Sequence, residues 1–262
     1  MNSSNFRAEA RNELKGNWGK AACLTLAYFI IFFIISFIEN LLPDDSSITG
    51  LFSILATIIE IPLGFGFIFS MLKLFKKEDI KAFDFLSLGF SNFGKSWLIV
   101  LQTILKLILP IILMIISYIL IAFGSIAAIG TYMYSVTAAS SFSALLIIGI
   151  ILLIVSTIWF ITKSYYYPLS FIIAIENPEM TSKEAVLKSQ ELMEGNRWKL
   201  FCLQFSFIGW AILGAFTLGI GYLWLIPYIQ FATIIFYKFV NGDNSNVEVE
   251  VVTDNDDNST EE

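Results

Sequence analysis

Residues 21–38 read Ala-Ala-Cys-Leu-Thr-Leu-Ala-Tyr-Phe-Ile-Ile-Phe-Phe-Ile-Ile-Ser-Phe-Ile, without a single charge. Ala144–Ile161 forms a second run of the same kind. A helix needs roughly 18–20 apolar residues to cross about 30 Å of hydrocarbon, and both runs approach or reach that length. The apolar residues come in runs rather than in alternation, so helices crossing a membrane, and not half-buried strands, are the expected elements.

Composition agrees. Of 262 residues, 56% are hydrophobic, 16% aromatic and 15% charged, against about 25% charged in a soluble domain. Working outward from the two runs, spans are expected near 21–39, 48–72, 97–122, 144–175, 200–217 and 220–240, the fourth too long for a simple crossing and the last two alternatively one broken hairpin around Thr217–Tyr222. The expected fold class is all-α: a polytopic helical membrane protein of about six spans in three helical-hairpin units, with short interfacial amphipathic helices. Residues 1–240 form the membrane-embedded domain. After Ile38 comes Glu-Asn-Leu-Leu-Pro and not a small-x-small cleavage site, so the first run is expected to be a retained helix and not a signal peptide.

The net charge of −6 divides unevenly. Of 22 acidic residues, eight lie in 241–262, where there is no Lys or Arg, leaving 14 acidic against 16 basic residues elsewhere. Residues 241–262 are therefore expected to be a disordered acidic cytoplasmic tail, a solubilising extension in preference to a partner-docking one. There is no His, and Cys23 and Cys202 lie inside apolar segments. That composition argues against a His-based zinc site, His general-base chemistry and a disulfide scaffold. Phosphate-cradling glycine loops and HExxH are absent too. No cofactor, no enzyme activity and no nucleic-acid partner are expected. Membrane lipid is the expected partner, and a protein partner or homo-oligomer is left open.

Lys and Arg set the orientation. The connections near 40–47, 123–143 and 218–221 contain neither, whereas Arg7, Arg11, Lys15 and Lys20, then Lys73, Lys76, Lys77, Lys81 and Lys95, then Lys183, Lys188, Arg197 and Lys199 fall on the other side. Both termini are expected in the cytoplasm, with Lys106, and on one alignment Lys163, as the exceptions at membrane depth.

Within those basic segments a motif recurs. Gly16-Asn17-Trp18-Gly19-Lys20 precedes Cys23-Leu24, and Gly195-Asn196-Arg197-Trp198-Lys199 precedes Cys202-Leu203 at the same offsets. Asn92-Phe93-Gly94-Lys95 is a weaker third copy. An amphipathic segment precedes each: Phe6, Ala10 and Leu14; Phe83, Leu86 and Phe90; and Ala185, Val186, Leu192 and Met193 after the capping sequence Thr181-Ser182-Lys183-Glu184. Gly and Asn tolerate the left-handed backbone that ends a helix. Lys20, Lys95 and Lys199 are expected to anchor the following span among lipid phosphates, with Trp18, Trp97 and Trp198 at interfacial depth. Ordinary anchoring is favoured over a specific headgroup site. Each unit's second span also carries a proline, Pro62, Pro168 or Pro227, expected to bend the helix near mid-membrane.

Ionisable residues inside a span are costly and mark functional sites by default. Glu60, Lys106, Lys163 and Gln230 are the candidate intramembrane polar site. They line a cavity on one view; on the other, Glu60 pairs with a lysine for packing, or the lysines snorkel. Tyr165-Tyr166-Tyr167-Pro168 is read as an aromatic packing cluster. Gly64-Phe65-Gly66 and Gly219-Ile220-Gly221 are read as close helix packing.

The segments Ala10–Lys20, Lys188-Ser189, Met193–Phe201, Phe207–Trp210, Thr217–Trp224 and Pro227-Tyr228 resemble an uncharacterised multi-pass membrane family of Gram-positive bacteria, domain of unknown function 975. The resemblance covers nearly all of the chain except the acidic tail. It implies a location in the bacterial plasma membrane and supplies no catalytic or binding residues. A non-enzymatic structural, envelope-homeostasis or regulatory protein acting through lipids or a partner is the leading expectation. A small transporter or lipid-handling protein using a polar cavity around Glu60 is the alternative.

Overall fold

The computed structural model describes residues 2–43, 47–132 and 136–242, the side chains of 127–143 excepted. The expected disordered tail lies, from residue 243 on, outside the described residues. The described residues form eleven α-helices and no strand: α1 (Ser3–Leu14), α2 (Trp18–Leu41), α3 (Ser47–Phe75), α4 (Asp84–Ser91), α5 (Phe93–Tyr132), α6 (Val136–Ser164), α7 (Ser170–Glu176), α8 (Ser182–Met193), α9 (Arg197–Phe205), α10 (Ile208–Phe216) and α11 (Tyr222–Asn241). Among the described residues six stretches are long and apolar enough to cross a membrane: Trp18–Leu41, Ser47–Phe75, Phe93–Ile126, Ala144–Ser164, Arg197–Phe216 and Tyr222–Asn241.

Local chemistry sets the helix ends. The Asn2 side chain accepts the Ser3 N–H at 2.7 Å to start α1. A capping box starts α8: Thr181 Oγ1 accepts the Glu184 N–H at 3.3 Å, and the Glu184 carboxylate accepts the Thr181 N–H at 2.8 Å. α11 stops at Gly242, whose φ of +81° is left-handed.

The fourth span requires a correction. Residues 144–175 are not one helix, because α6 ends at Ser164 and a turn over 165–169 separates it from the short α7. Pro168 lies in that turn and is not a bend in a membrane helix. With no N–H to donate, proline fits the approach to a helix start better than a helix interior. Pro62 and Pro227 do lie inside α3 and α11. So does Pro110 inside α5, so prolines are not confined to the returning helices.

Burial is concentrated at one end. The buried residues of α2 are Ala21, Leu24, Thr25 and Ala27, all in its first half. Those of α3, apart from Ala56, run from Pro62 to Leu74 in its second half. Around them pack α1, α7, α8 and α11 from Leu225 to Tyr237. The α1 stripe Phe6, Ala10 and Leu14 is fully buried, and the Phe6 ring meets Phe236 at 5.6 Å and Phe239 at 5.4 Å, both edge-on. At the other end Phe33, Phe37, Leu51, Ile54, Ile119 and Ile126 are exposed. Contiguous apolar surface of that kind does not persist in water and suits a hydrocarbon solvent.

Two contacts fix how the helices cross. α5 and α6 run antiparallel, with Gly124 against Leu146 and Gly149 against Ile121. α4 crosses α3 where two glycines meet backbone: a Cβ on Gly66 would overlap the Phe85 carbonyl oxygen and stand 2.7 Å from the Gly89 nitrogen, and a Cβ on Gly89 would overlap the Pro62 carbonyl oxygen. Gly66→Ala and Gly89→Ala should therefore each destabilise the protein by about 1–3 kcal/mol, measured by thermal unfolding in detergent. Unchanged melting would mean that α4 does not sit this close.

The capping box gives a pH signature. The Thr181 N–H, helped by the Thr181 side chain, holds the Glu184 carboxyl below its ordinary value. Its contribution is thus present above the ordinary carboxylate value and lost as pH falls through the lower folded value. Glu184→Gln should flatten that part of the acid limb of the stability curve, and an unchanged limb would count against the box.

Candidate functional site

The three motif blocks fold alike around their asparagines. The N–H groups of Asn17, Asn92 and Asn196 donate to the carbonyls of Leu14, Gly89 and Met193 at 2.9, 3.1 and 3.1 Å. Their own carbonyls accept from Ala21, Ser96 and Leu200 at 3.0, 2.9 and 3.2 Å. Lys15 (φ −56°, ψ 129°) and Gly16 (φ +80°) form a type II turn, and so do Glu194 (φ −64°, ψ 120°) and Gly195 (φ +79°). That turn demands a positive φ at its third position, which is why both stronger copies have glycine there. The middle block lacks it, because α4 runs helically through Ser91.

Burial coincides as well. Seven and three residues before each asparagine, and four and seven after it, the side of the chain turned to the core is the same. These positions are Ala10, Leu14, Ala21 and Leu24; Phe85, Gly89, Ser96 and Ile99; and Ser189, Met193, Leu200 and Leu203, all buried.

The lysine three residues after each asparagine reaches the end of a later helix. Lys20 lies 3.5 Å from Asp79, just beyond α3. Lys95 donates to the carbonyls of Ala174 (3.0 Å), Asn177 (3.4 Å) and Pro178 (2.9 Å) at the C-terminus of α7. Lys199 sits 5.4 Å over the Phe239 ring near the end of α11. An ammonium has three N–H donors, and Lys95 places all three on carbonyls where the helix dipole is negative. Trp97 is equally committed: its indole N–H donates at 3.0 Å to the Ile58 carbonyl, the group that Pro62 leaves without an intrahelical donor. Trp198, by contrast, is exposed and stacks on Phe201 at 5.0 Å.

Two cavities of about 400 Å³ adjoin the Gly-Asn turns. One, of ≈ 400 Å³, is lined by Arg11, Trp18, Trp210, Leu213, Trp224 and Tyr228 together with Gly214, Thr217, Gly221 and Leu225. Arg11 Nη1 donates to the Tyr228 hydroxyl at 3.1 Å, and that hydroxyl donates to the Arg7 carbonyl at 3.1 Å. The other, ≈ 410 Å³, is lined by Ile161, Thr162, Tyr165, Gly195, Arg197, Trp198 and Phe201. There the Arg197 guanidinium lies 4.2 Å over the Tyr166 ring and donates weakly to the Thr162 carbonyl at 3.4 Å. The Tyr165 hydroxyl donates to Gln204 at 2.8 Å. Spacing alone signalled the turns. The Tyr228–Arg11 pair and the Lys95 cradle join residues far apart in sequence, and no local pattern announced them.

The candidate intramembrane residues are not gathered in either cavity. Glu60 and Gln230 are half-buried, and Lys106 and Lys163 are exposed. Among the described residues Glu60 makes no ion pair within 4.0 Å. Lys163 is in the last turn of α6, with its ammonium 5.7 Å over the Tyr166 ring.

Fold and geometry thus define a helical protein whose described residues hold six stretches of membrane-crossing length, built around three similar asparagine-centred turns. The chain belongs to the family described as protein of unknown function (DUF975), whose model matches residues 1–244. No curated protein and no solved structure is found to match it.

The three lysines should not contribute equally. Lys95→Ala leaves several helix-end carbonyls without a charged donor and should destabilise by about 1.5–3 kcal/mol. Lys20→Ala breaks an exposed pair and should lose no more than about 1 kcal/mol. Denaturant or thermal unfolding in detergent ranks them, and equal effects would place Lys95 in the lipid headgroups instead.

Proposed function

We propose that this is a non-enzymatic, multi-pass protein of the bacterial plasma membrane, with both termini cytoplasmic and a structural or regulatory role exerted at the lipid boundary. The observation that supports this best is the separation of its two ends. Lys20, Lys73, Lys76, Lys77, Lys95 and Lys199 lie in or beside the wrapped core, while the far halves of α2 and α3 are exposed and apolar. Basic residues stay on the cytoplasmic face, so the wrapped end belongs there. The three asparagine-centred blocks are read as copies of one ancestral unit, an amphipathic helix followed by an entering and a returning helix. The lysine of each block ties its entering helix to the end of that unit's returning segment. Such a body presents lipid-facing helices on a rigid cytoplasmic frame.

Orientation is tested by thiol labelling in a background with Cys23→Ser and Cys202→Ser. Asn40→Cys should react with an impermeant maleimide from outside only, and Lys81→Cys from inside only; the reverse pattern would overturn the orientation. The role is tested by deleting the chain from its host and scoring sensitivity to membrane-active agents. Glu60→Gln should restore the wild-type phenotype as fully as the intact chain. A variant that inserts normally yet fails to restore it would mean that chemistry at Glu60 is required, against a structural role.

A further inference from the structure

The hairpin of α9, α10 and α11 has a tip unlike a water-facing loop. Its turn, residues 217–221, reads Thr-Leu-Gly-Ile-Gly, and no charged residue occurs between Lys199 and Lys238. Leu218 is 95% exposed and Phe216 82%, with Trp210, Ile212, Leu213, Ile220 and Trp224 exposed beside them. Leu218 even holds a left-handed backbone, φ 55°, a conformation a bulky residue adopts reluctantly. Were the tip in water, a Gly, Asn or Asp would serve this turn better.

The tip also pairs its own amide N–H groups. The N–H groups of Thr217, Leu218 and Gly219 donate to the carbonyls of Gly214, Ala215 and Gly214, and that of Ile220 to Thr217. The Gly221 N–H donates to the Thr217 hydroxyl at 2.8 Å, and the hydroxyl in turn donates to the Gly214 carbonyl at 2.7 Å. Tyr222, Leu223, Trp224 and Leu225 continue the chain of paired amides. Water relieves a loop of any such need, whereas hydrocarbon imposes it.

Depth follows from Tyr228. Its hydroxyl is 3.1 Å from the Arg11 guanidinium, and Arg11 lines the same cavity as Thr217 and Gly221 at the tip. α11 begins at Tyr222, about 9 Å from Tyr228 at 1.5 Å per residue. The tip therefore stands on the order of 10–15 Å from the charged helix α1, whereas full crossing requires about 30 Å of hydrocarbon between charged ends. For the tip to emerge on the far side, α1, with Arg7, Glu9, Arg11, Glu13 and Lys15, would have to sit deep in hydrocarbon, which its charges oppose.

We infer that the hairpin Arg197–Asn241 is re-entrant: it dips into the membrane from the side of α1 and presents its apolar tip to phospholipid acyl chains without reaching the opposite face. This rests on the membrane location proposed above. It keeps both termini on one side, because a re-entrant hairpin and a full pair of crossings return the chain to the same face. α2, α3, α5 and α6 are then the four crossings.

The test uses the full chain in native membranes with Cys23→Ser and Cys202→Ser, carrying Leu218→Cys or, as a second variant at an ordinary backbone conformation, Phe216→Cys. Both should react with impermeant maleimide from either side to about a tenth or less of the level at Asn40→Cys, and fully after denaturing detergent, as burial in hydrocarbon requires. A spin label at either position should relax with oxygen and not with a water-soluble nickel chelate. Labelling from the outer face would establish a full crossing, and labelling from the cytoplasmic face, or relaxation by nickel, would place the tip in water. Either result with normal outside labelling of Asn40→Cys overturns this inference alone. Loss of sidedness at Asn40→Cys overturns the membrane location as well.

Discussion

The packing of α1 against α11 is the contact on which the rest of the structure depends. Phe6, Ala10 and Leu14 turn one stripe of a charged helix inward, and the rings of Phe6, Phe236 and Phe239 interlock there. Burying a large apolar side chain stabilises by roughly 1.5–3 kcal/mol, and this stripe buries two such side chains and an alanine. The same contact fixes α11 at a definite height, because a helix carrying Arg7, Glu9, Arg11, Glu13 and Lys15 stays near water. Burial pushes the Glu9 carboxyl above its ordinary value, with neighbouring Glu13 adding to the effect. That marks how far α1 has been drawn into the body.

From that contact follows a division of labour along the helices. The wrapped end is held by ring packing, glycine crossings and lysines placed on helix ends. The exposed end keeps the α5–α6 contact at Gly124 and Gly149 but little else of this kind, because in hydrocarbon the backbone is satisfied within each helix and apolar side chains are at home. Pro62 lies where the two regimes meet on α3. It removes one intrahelical hydrogen bond, and the Trp97 indole of α5 supplies the missing donor.

The helical class and the location of most spans were legible in the sequence, because a long uncharged apolar run has few other solutions. The Gly-Asn turns were legible for a related reason: a type II turn needs glycine at one position, so Gly16 and Gly195 announce the backbone they adopt. The break after Ser164 was only partly legible: 144–175 is too long for one crossing and Thr162-Lys163-Ser164 interrupts it, but Tyr165-Tyr166-Tyr167-Pro168-Leu169 does not tell a turn from a proline-bent helix. Pairing was the least legible of all. Lys106 and Lys163 are separated from Glu60 by whole helices, and spacing along the chain carries no information on whether such residues meet. The carbonyl cradle of Lys95 at the end of α7 was hidden for the same reason, although the position of the lysine itself stood out.

A membrane-surface helix and a helix built into the core differ most directly in how their amides exchange with solvent. Hydrogen–deuterium exchange of the intact protein in phospholipid nanodiscs, read at the level of α1 peptides, distinguishes them. The amides of α1 should be protected to the same degree as those of the C-terminal half of α11, because the two open only together. Fast exchange across α1 with α11 still protected would contradict the account. The helix would then lie loose on the membrane surface, and neither the wrapped core nor the height of the hairpin would be fixed by it.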